Sequence, residues 1–231
     1  MSPGAAPRLG LPRLHLRLTD STNERARALA LSGAPHGTLV TASEQSAGRG
    51  RQGRRWSAPA GAALLMSLVL RDPPSLLPLA AAVAVAEVIG EAAAIKWPND
   101  VLVGGRKVAG ILVEGRPLER WSVLGVGVNV AVAPDELPAE LHDRAGTLGL
   151  GAGDVEPVLA ALLGAFERWL AAAPETVLAA WRRRDALLGR AVAWNGGRGT
   201  GAGIDGEGRL VVALPGGGRA ALHAGEVHLG G

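Results

Sequence analysis

Residues Ile95–Gly115 read IKWPNDVLVGGRKVAGILVEG. The apolar triplet Val101–Val103, the pair Gly104-Gly105 and the run Lys107–Gly115 form a hairpin signal: two β-prone segments joined by a two-residue turn that needs positive φ. In the second arm Lys107 shares a strand face with Ala109, Ile111 and Val113, opposite Val108, Gly110 and Leu112. Both faces are apolar, so the strand belongs inside a sheet covered on two sides. Lys107 therefore sits either at a wet strand end or in a pocket, and Gly110 leaves room for a close approach. The chain has 24 basic residues, and its two lysines, Lys96 and Lys107, both fall in this stretch. Lysine is a compact point charge on a flexible stem, which arginine does not replace. Pro98-Asn99-Asp100 reads as a turn.

Outward from this hairpin the elements of an α+β chain follow. LHLRL (14–18) alternates like a half-buried strand. DSTNERARALALSG (20–33) reads as a helix, with Ser21 and Glu24 at capping-box spacing and Gly33 at its end. TLVTA (38–42) and ALLMSLVL (63–70) are strands, the second buried. An apolar helix lies within 75–93, with Pro78 in its first turn. WSVLGVGVNV (121–130) is a further strand, and 154–172 and 175–189 are amphipathic helices. Hairpins beside crossover helices predict a mixed, mainly antiparallel central sheet flanked by helices. From Gly189 the texture changes to short strands separated by glycine turns, the pattern of a small β-barrel. The expected division is 1–188 and 189–231, with 1–13 a loose lead-in.

The totals exclude several classes. A chain of 231 residues that is 48% hydrophobic can bury a core. Without cysteine there is no disulfide, thiolate nucleophile or Cys-ligated metal. A net charge of +3 is too mild for wholesale nucleic-acid binding. No signal peptide stands at the N-terminus, and GAALLMSLVL (61–70) is too short for a membrane span. A soluble cytoplasmic protein with no membrane partner is expected.

GRGRQGRRW (48–56) places four arginines on a glycine-rich backbone. It suits phosphate or carboxylate, which guanidinium grips bidentately, and Trp56 offers a stacking surface. The P-loop spacing is absent.

Taken together and in order, DSTN (20–23), EQSAGRGRQGRRW (44–56), KWPNDVLVGGRKVAGILVE (96–114) and GVGVN (125–129) resemble the biotin protein ligases, biotin–[acetyl-CoA-carboxylase] ligases. GIDGEGRLVV (203–212) and GEVHL (225–229) are similar to that family's SH3-like barrel. The resemblance implies that biotin and ATP with Mg²⁺ give biotinyl-5′-AMP and pyrophosphate. The biotinyl group then passes to a lysine of a biotin carboxyl carrier domain of an acetyl-CoA or acyl-CoA carboxylase. The catalytic pattern starts near Met1, so the resemblance is to the monofunctional type with no DNA-binding domain, as a monomer or homodimer.

By the same resemblance, Lys107 contacts the carboxylate and α-phosphate, and Arg51 joins it as a catalytic cation. Biotin recognition falls to Ser21, Thr22, Asn23, Gln45, Arg49, Gly50, Arg51, Lys107 and Gly110. The adenylate falls to Gly48, Arg49, Arg51, Arg54, Trp56, Asn99, Asp100, Lys107 and Asn129. Lys96 receives no role and the metal ligands are not assigned. Octanoyltransferases of the same fold use a cysteine, and the lipoate-ligase RRxSGGG-like motif is missing. A nucleic-acid module would need a broader basic surface and leaves the 96–114 block unexplained. A scaffold carrying relic motifs is removed only by assay.

Overall fold

The computed structural model describes residues 9–223 and 227–229. The elements in chain order are β1 (Arg13–Thr19), α1 (Thr22–Leu31), β2 (Leu39–Gln45), β3 (Ala63–Arg71), α2 (Leu77–Ile89), β4 (Ala93–Lys96), β5 (Asp100–Val103), β6 (Arg106–Arg116) and β7 (Trp121–Asn129). They continue with α3 (Val155–Leu170), α4 (Pro174–Arg182), β8 (Ala191–Trp194), β9 (Gly197–Ile204), β10 (Leu210–Ala213), β11 (Arg219–Leu222) and β12 (Val227–Leu229). The first seven strands form one sheet in the order β1-β2-β3-β7-β6-β5-β4. β1 and β2 run parallel across α1, and the other pairs are antiparallel. The expected mixed, mainly antiparallel sheet is present.

Its two faces have different duties. Leu64, Met66, Leu68 and Leu70 of β3, with Leu124, Val126 and Val128 of β7, pack with α2, α3 and α4 into the main core. The alternate residues Val69 and Val123 meet Ala26 and Ala30 of α1, and Ala63 and Leu65 meet Val132 and Leu137 of the segment after β7. β3 is buried on both sides, which is why its sequence shows no alternation. The face that carries α1 also carries the site.

Three local readings change. Ser21 holds the N-cap position of α1 but makes no side-chain cap. Instead Gln45 Oε1 accepts from the Thr22 amide at 2.7 Å, and Glu24 pairs outward with Arg27 and Arg49. The helix expected to Gly189 ends at Arg182, because the chain turns to bond the edge strand β4: the Ile95 amide donates to Arg184 O at 2.6 Å. β4 itself was too short and too alanine-rich to stand out as a strand.

The third change concerns β6. Val101 pairs Ala109, but its neighbour Leu102 pairs Lys107. The extra residue is a β-bulge, and one residue of offset turns a side chain to the opposite face. Lys107 thereby leaves the Ala109–Ile111–Val113 face expected for it and joins Gly110. A Cβ on Gly110 would lie 3.0 Å from Lys107 Cε.

Strands β8–β12 form a second, antiparallel sheet in the order β11-β10-β9-β8-β12. Among the described residues its end strands do not pair with each other. Val192, Ile204, Leu210, Val212 and Val227 join the main core cluster, and Trp97 Nε1 donates to Gly208 O at 3.1 Å. Residues 1–8 of the expected lead-in, and Gly225 and Glu226 of the GEVHL motif, lie outside the described residues. No helix among the described residues is long and apolar enough to cross a membrane.

Candidate active site

The open face of the sheet, the start of α1, the arginine loop and the segment after β7 enclose a cavity of about 590 Å³. Every residue singled out for a site except Gly48 lines it, and so does Lys96. Gly48 lies just behind the wall, where a Cβ would overlap the Trp56 carbonyl.

Part of the cavity wall is a polar cluster at the head of α1. Gln45 Oε1 accepts from the Thr22 amide and from its hydroxyl, at 2.7 and 3.1 Å. The Gln45 amide is thereby fixed, with Nε2 close to the position a Gly48 Cβ would take. Ser21, Thr22 and Asn23 are all buried at the head of α1.

Another part of the wall is charged. Lys107 Nζ lies 2.6 Å from Asp100 Oδ1 and 5.5 Å from the centroid of the Trp56 ring, within cation–π range. The pair is partly open to solvent, with 34% and 18% of the two side chains exposed. It is held by its strands: β5 begins at Asp100, the last residue of KWPND, and the bulge aims Lys107 at it. The Lys107 amide also donates to Arg144 O at 2.7 Å, tying β6 to the segment beyond β7.

The arginine loop is a closed unit rather than a slack one. The Gly50 amide donates to Arg54 O at 2.7 Å and the Trp56 amide to Gly48 O at 2.9 Å. Arg51 Nη1 reaches Asn99 Oδ1 at 3.3 Å, while Asn99 Nδ2 is anchored on Ile111 O at 2.7 Å. Arg49 pairs with Glu24 and Glu114. At the end of β7, Asn129 Nδ2 donates to Gly146 O at 2.8 Å. Its Oδ1 is buried without a protein partner, and an unmet buried acceptor is costly.

Glycines make the floor. A Cβ on Gly127 would lie 2.5 Å from Trp56 Cε2, one on Gly110 would lie 2.9 Å from Trp56 Cζ3, and one on Gly125 would overlap Asn23 Oδ1. Gly110 and Gly127 are opposite each other across β6 and β7. The indole lies on a side-chain-free patch of sheet, and the GVGVN motif acquires a steric meaning. Sequence reasoning missed Ser67, Glu114, Gly125, Gly127, Asp143, Arg144 and His228. For the two glycines the signal was there, as a period of two within a valine strand. His228 comes from the second sheet, and the GEVHL motif that contains it gave no hint that it reaches the cavity.

The model of the biotin/lipoate A/B protein ligase family matches residues 15–130. The chain is 42% identical over 158 residues to a bifunctional ligase/repressor of Bacillus subtilis, and it spans about half that relative's length: 63% of this chain and 49% of the relative. Against a biotin–[acetyl-CoA-carboxylase] ligase of Paracoccus denitrificans it is 40% identical over 248 residues, 94% of this chain and 100% of the other. Among solved structures, a biotin protein ligase from Aquifex aeolicus in complex with biotin and ATP superposes with a TM-score of 0.80 at 27% identity, covering 94% of this chain and 99% of that one. With the matched motifs gathered on one cavity, the chain belongs to the biotin/lipoate A/B protein ligase family.

Proposed function

We propose that this chain is a biotin protein ligase: it activates biotin with ATP to biotinyl-5′-AMP and then transfers the biotinyl group to a lysine of a carboxylase carrier domain. One observation carries the reading. A fixed amide-and-hydroxyl cluster around Gln45 and the ion-paired Lys107 line one and the same cavity. A ligand with a polar uncharged ring at one end and a carboxylate at the other fits that arrangement. The similarity to biotin ligases supports it.

In the first half-reaction a biotin carboxylate oxygen attacks the α-phosphorus, and the bond to the β-phosphate breaks to release pyrophosphate. Both reactants are anionic. Lys107 and Arg51 supply the opposing charge, and Lys107 stabilises charge as it develops on the α-phosphate. Asp100 holds Lys107 in place until substrate arrives. Ser21, Thr22, Asn23 and Gln45 bind the ureido ring, and Gly110 leaves room for Lys107 and the Trp56 ring beside it. Trp56 and Asn129 take the adenine, and Asn99, with Arg54, borders the phosphates. Gly48, Arg49 and Gly50 close the loop and exclude water from the mixed anhydride. In the second half the lysine amine of the carrier attacks the acyl carbon, and AMP leaves with the bridging oxygen.

Among the described residues no three His, Cys, Asp or Glu gather into a metal cage. Asp100, once substrate draws Lys107 from it, and the neighbouring Asn99 would hold Mg²⁺ carried by the nucleotide, since that ion keeps waters and binds through phosphates and one or two carboxylates. When bound, it neutralises phosphate charge. We read residues 189–231 as the counterpart of the family's SH3-like barrel, whose described residues form an open five-stranded antiparallel sheet that shares the main core. ATP and an acetyl-CoA or acyl-CoA carboxylase carrier as substrates imply a cytoplasmic place of work.

The test is ATP–pyrophosphate exchange with purified protein and Mg²⁺, run separately with biotin, lipoate and octanoate. Exchange that depends on biotin supports the reading. Exchange with lipoate or octanoate in its place overturns the substrate.

A further inference from the structure

Strand β3 is buried along nearly its whole length and contains one polar residue in its apolar run, Ser67, which is fully buried. A hydroxyl there needs partners. Ser67 Oγ lies 2.6 Å from Asn23 Oδ1 and 2.8 Å from Thr22 Oγ1. The Asn23 oxygen can only accept, so the Ser67 proton belongs to it. Asn23 Nδ2 in turn donates to Glu114 Oε2 at 2.8 Å, and the bare Cα of Gly125 makes the space for this amide. The Asn23 amide is thus held in one orientation, with one N–H and one lone pair left over. The other Glu114 oxygen lies 3.4 Å from Arg49 Nη2, and Arg49 also pairs with Glu24, the residue after Asn23. The first arginine of the loop is clamped between two carboxylates, each linked to Asn23, one through a hydrogen bond and one through the chain.

We propose that Glu114 is a positioning residue that latches the arginine loop to the ring-binding pocket, keeping the site shut between the two half-reactions. This rests on the biotin-ligase reading. Once pyrophosphate has left, part of the anionic charge facing the loop has gone. The Arg49–Glu114–Glu24 clamp is built from protein charge alone and persists through that step. With the loop open, Glu24 and Glu114 lose their shared cation. Closure is favoured by the protein itself, and the labile mixed anhydride stays covered until a carrier lysine arrives.

Glu114→Gln keeps the length and the acceptor for Asn23 but removes the charge facing Arg49. The enzyme is charged with biotin and ATP labelled at the α-phosphate, with pyrophosphatase present, and escape of labelled adenylate is followed after a chase. Escape is expected to be about two- to fivefold faster in Glu114→Gln and faster again in Arg49→Gln, which loses Glu24 as well. The double variant is expected to be no faster than Arg49→Gln, because Glu114 acts through Arg49. Trypsin supplies a readout free of any substrate. Cleavage after Arg51, Arg54 and Arg55 is expected to accelerate in the same variants, and Arg49→Gln carries the experiment if Glu114→Gln fails to fold. Wild-type escape and wild-type cleavage rates, or effects that multiply in the double variant, overturn the latch. A wild-type protein that forms no adenylate from biotin overturns the ligase reading, while the cleavage rates still decide the latch.

Discussion

At the scale of single residues, one point of charge organises the cavity. Lys107 is aimed by a bulge, held by Asp100 and set beside the Trp56 ring. A guanidinium there is broader and planar and meets the Gly110 floor and the indole together. Lys107→Arg is expected to lower kcat/KM for biotin about 10²–10³-fold, the scale for losing one preorganised charge contact. Because Lys107 is partly exposed, Tm should stay within about 2 °C of wild type. Steady-state exchange kinetics and a thermal melt check both. Asp185 supports a prediction about pH. Burial pushes its carboxyl up, against two backbone amides that pull it down, and Oδ2 has no partner. With the folded pKa above the unfolded one, the folded state binds more protons, so this group's contribution to stability falls as pH rises through the interval between them. Asp185→Asn still accepts from the Leu187 amide. Its Tm advantage over wild type is expected to be absent at low pH and to grow towards neutrality, as melts across a pH series will show.

At the scale of elements, the cavity floor is a property of β6 and β7 together. Gly127→Ala puts a methyl into the Trp56 indole, so it is expected to cut kcat/KM for ATP by about tenfold or more, and to add little on top of Trp56→Ala since the two share one contact. Measuring both single variants and the double variant decides this. Much of this level was readable. The unbroken apolar run of β3 announced a strand covered on both faces, the two-glycine turn announced the β5–β6 hairpin, and Pro78 marked the first turn of α2. The bulge at Lys107 was hidden because strand periodicity assumes an unbroken register. β4 was hidden because its identity as a strand comes from its partners, β5 and the chain after α4, and not from its own four residues.

At the scale of the whole molecule, the two sheets share a core. Five residues of the second sheet are buried in it, each contributing about 1.5–3 kcal/mol. That sum is comparable to the whole stability of an ordinary domain, about 5–15 kcal/mol. Residues 1–188 alone are therefore expected to show no cooperative thermal transition, whereas the full chain melts in one step; calorimetry of the two decides it. The motifs that meet at the cavity were legible because each is contiguous. Ser67 was not, because it reaches the supporting network from an apolar strand, and Glu114 and His228 sat inside recognised motifs but their roles depend on tertiary placement. The central claim concerns group transfer, and the most direct measurement is the mass of a biotin carboxyl carrier domain after incubation with this protein, biotin, ATP and Mg²⁺. The account predicts one biotinyl group on one lysine, dependent on ATP and lost when that lysine is replaced. An unmodified carrier, or a carrier that takes up lipoate instead, would contradict it.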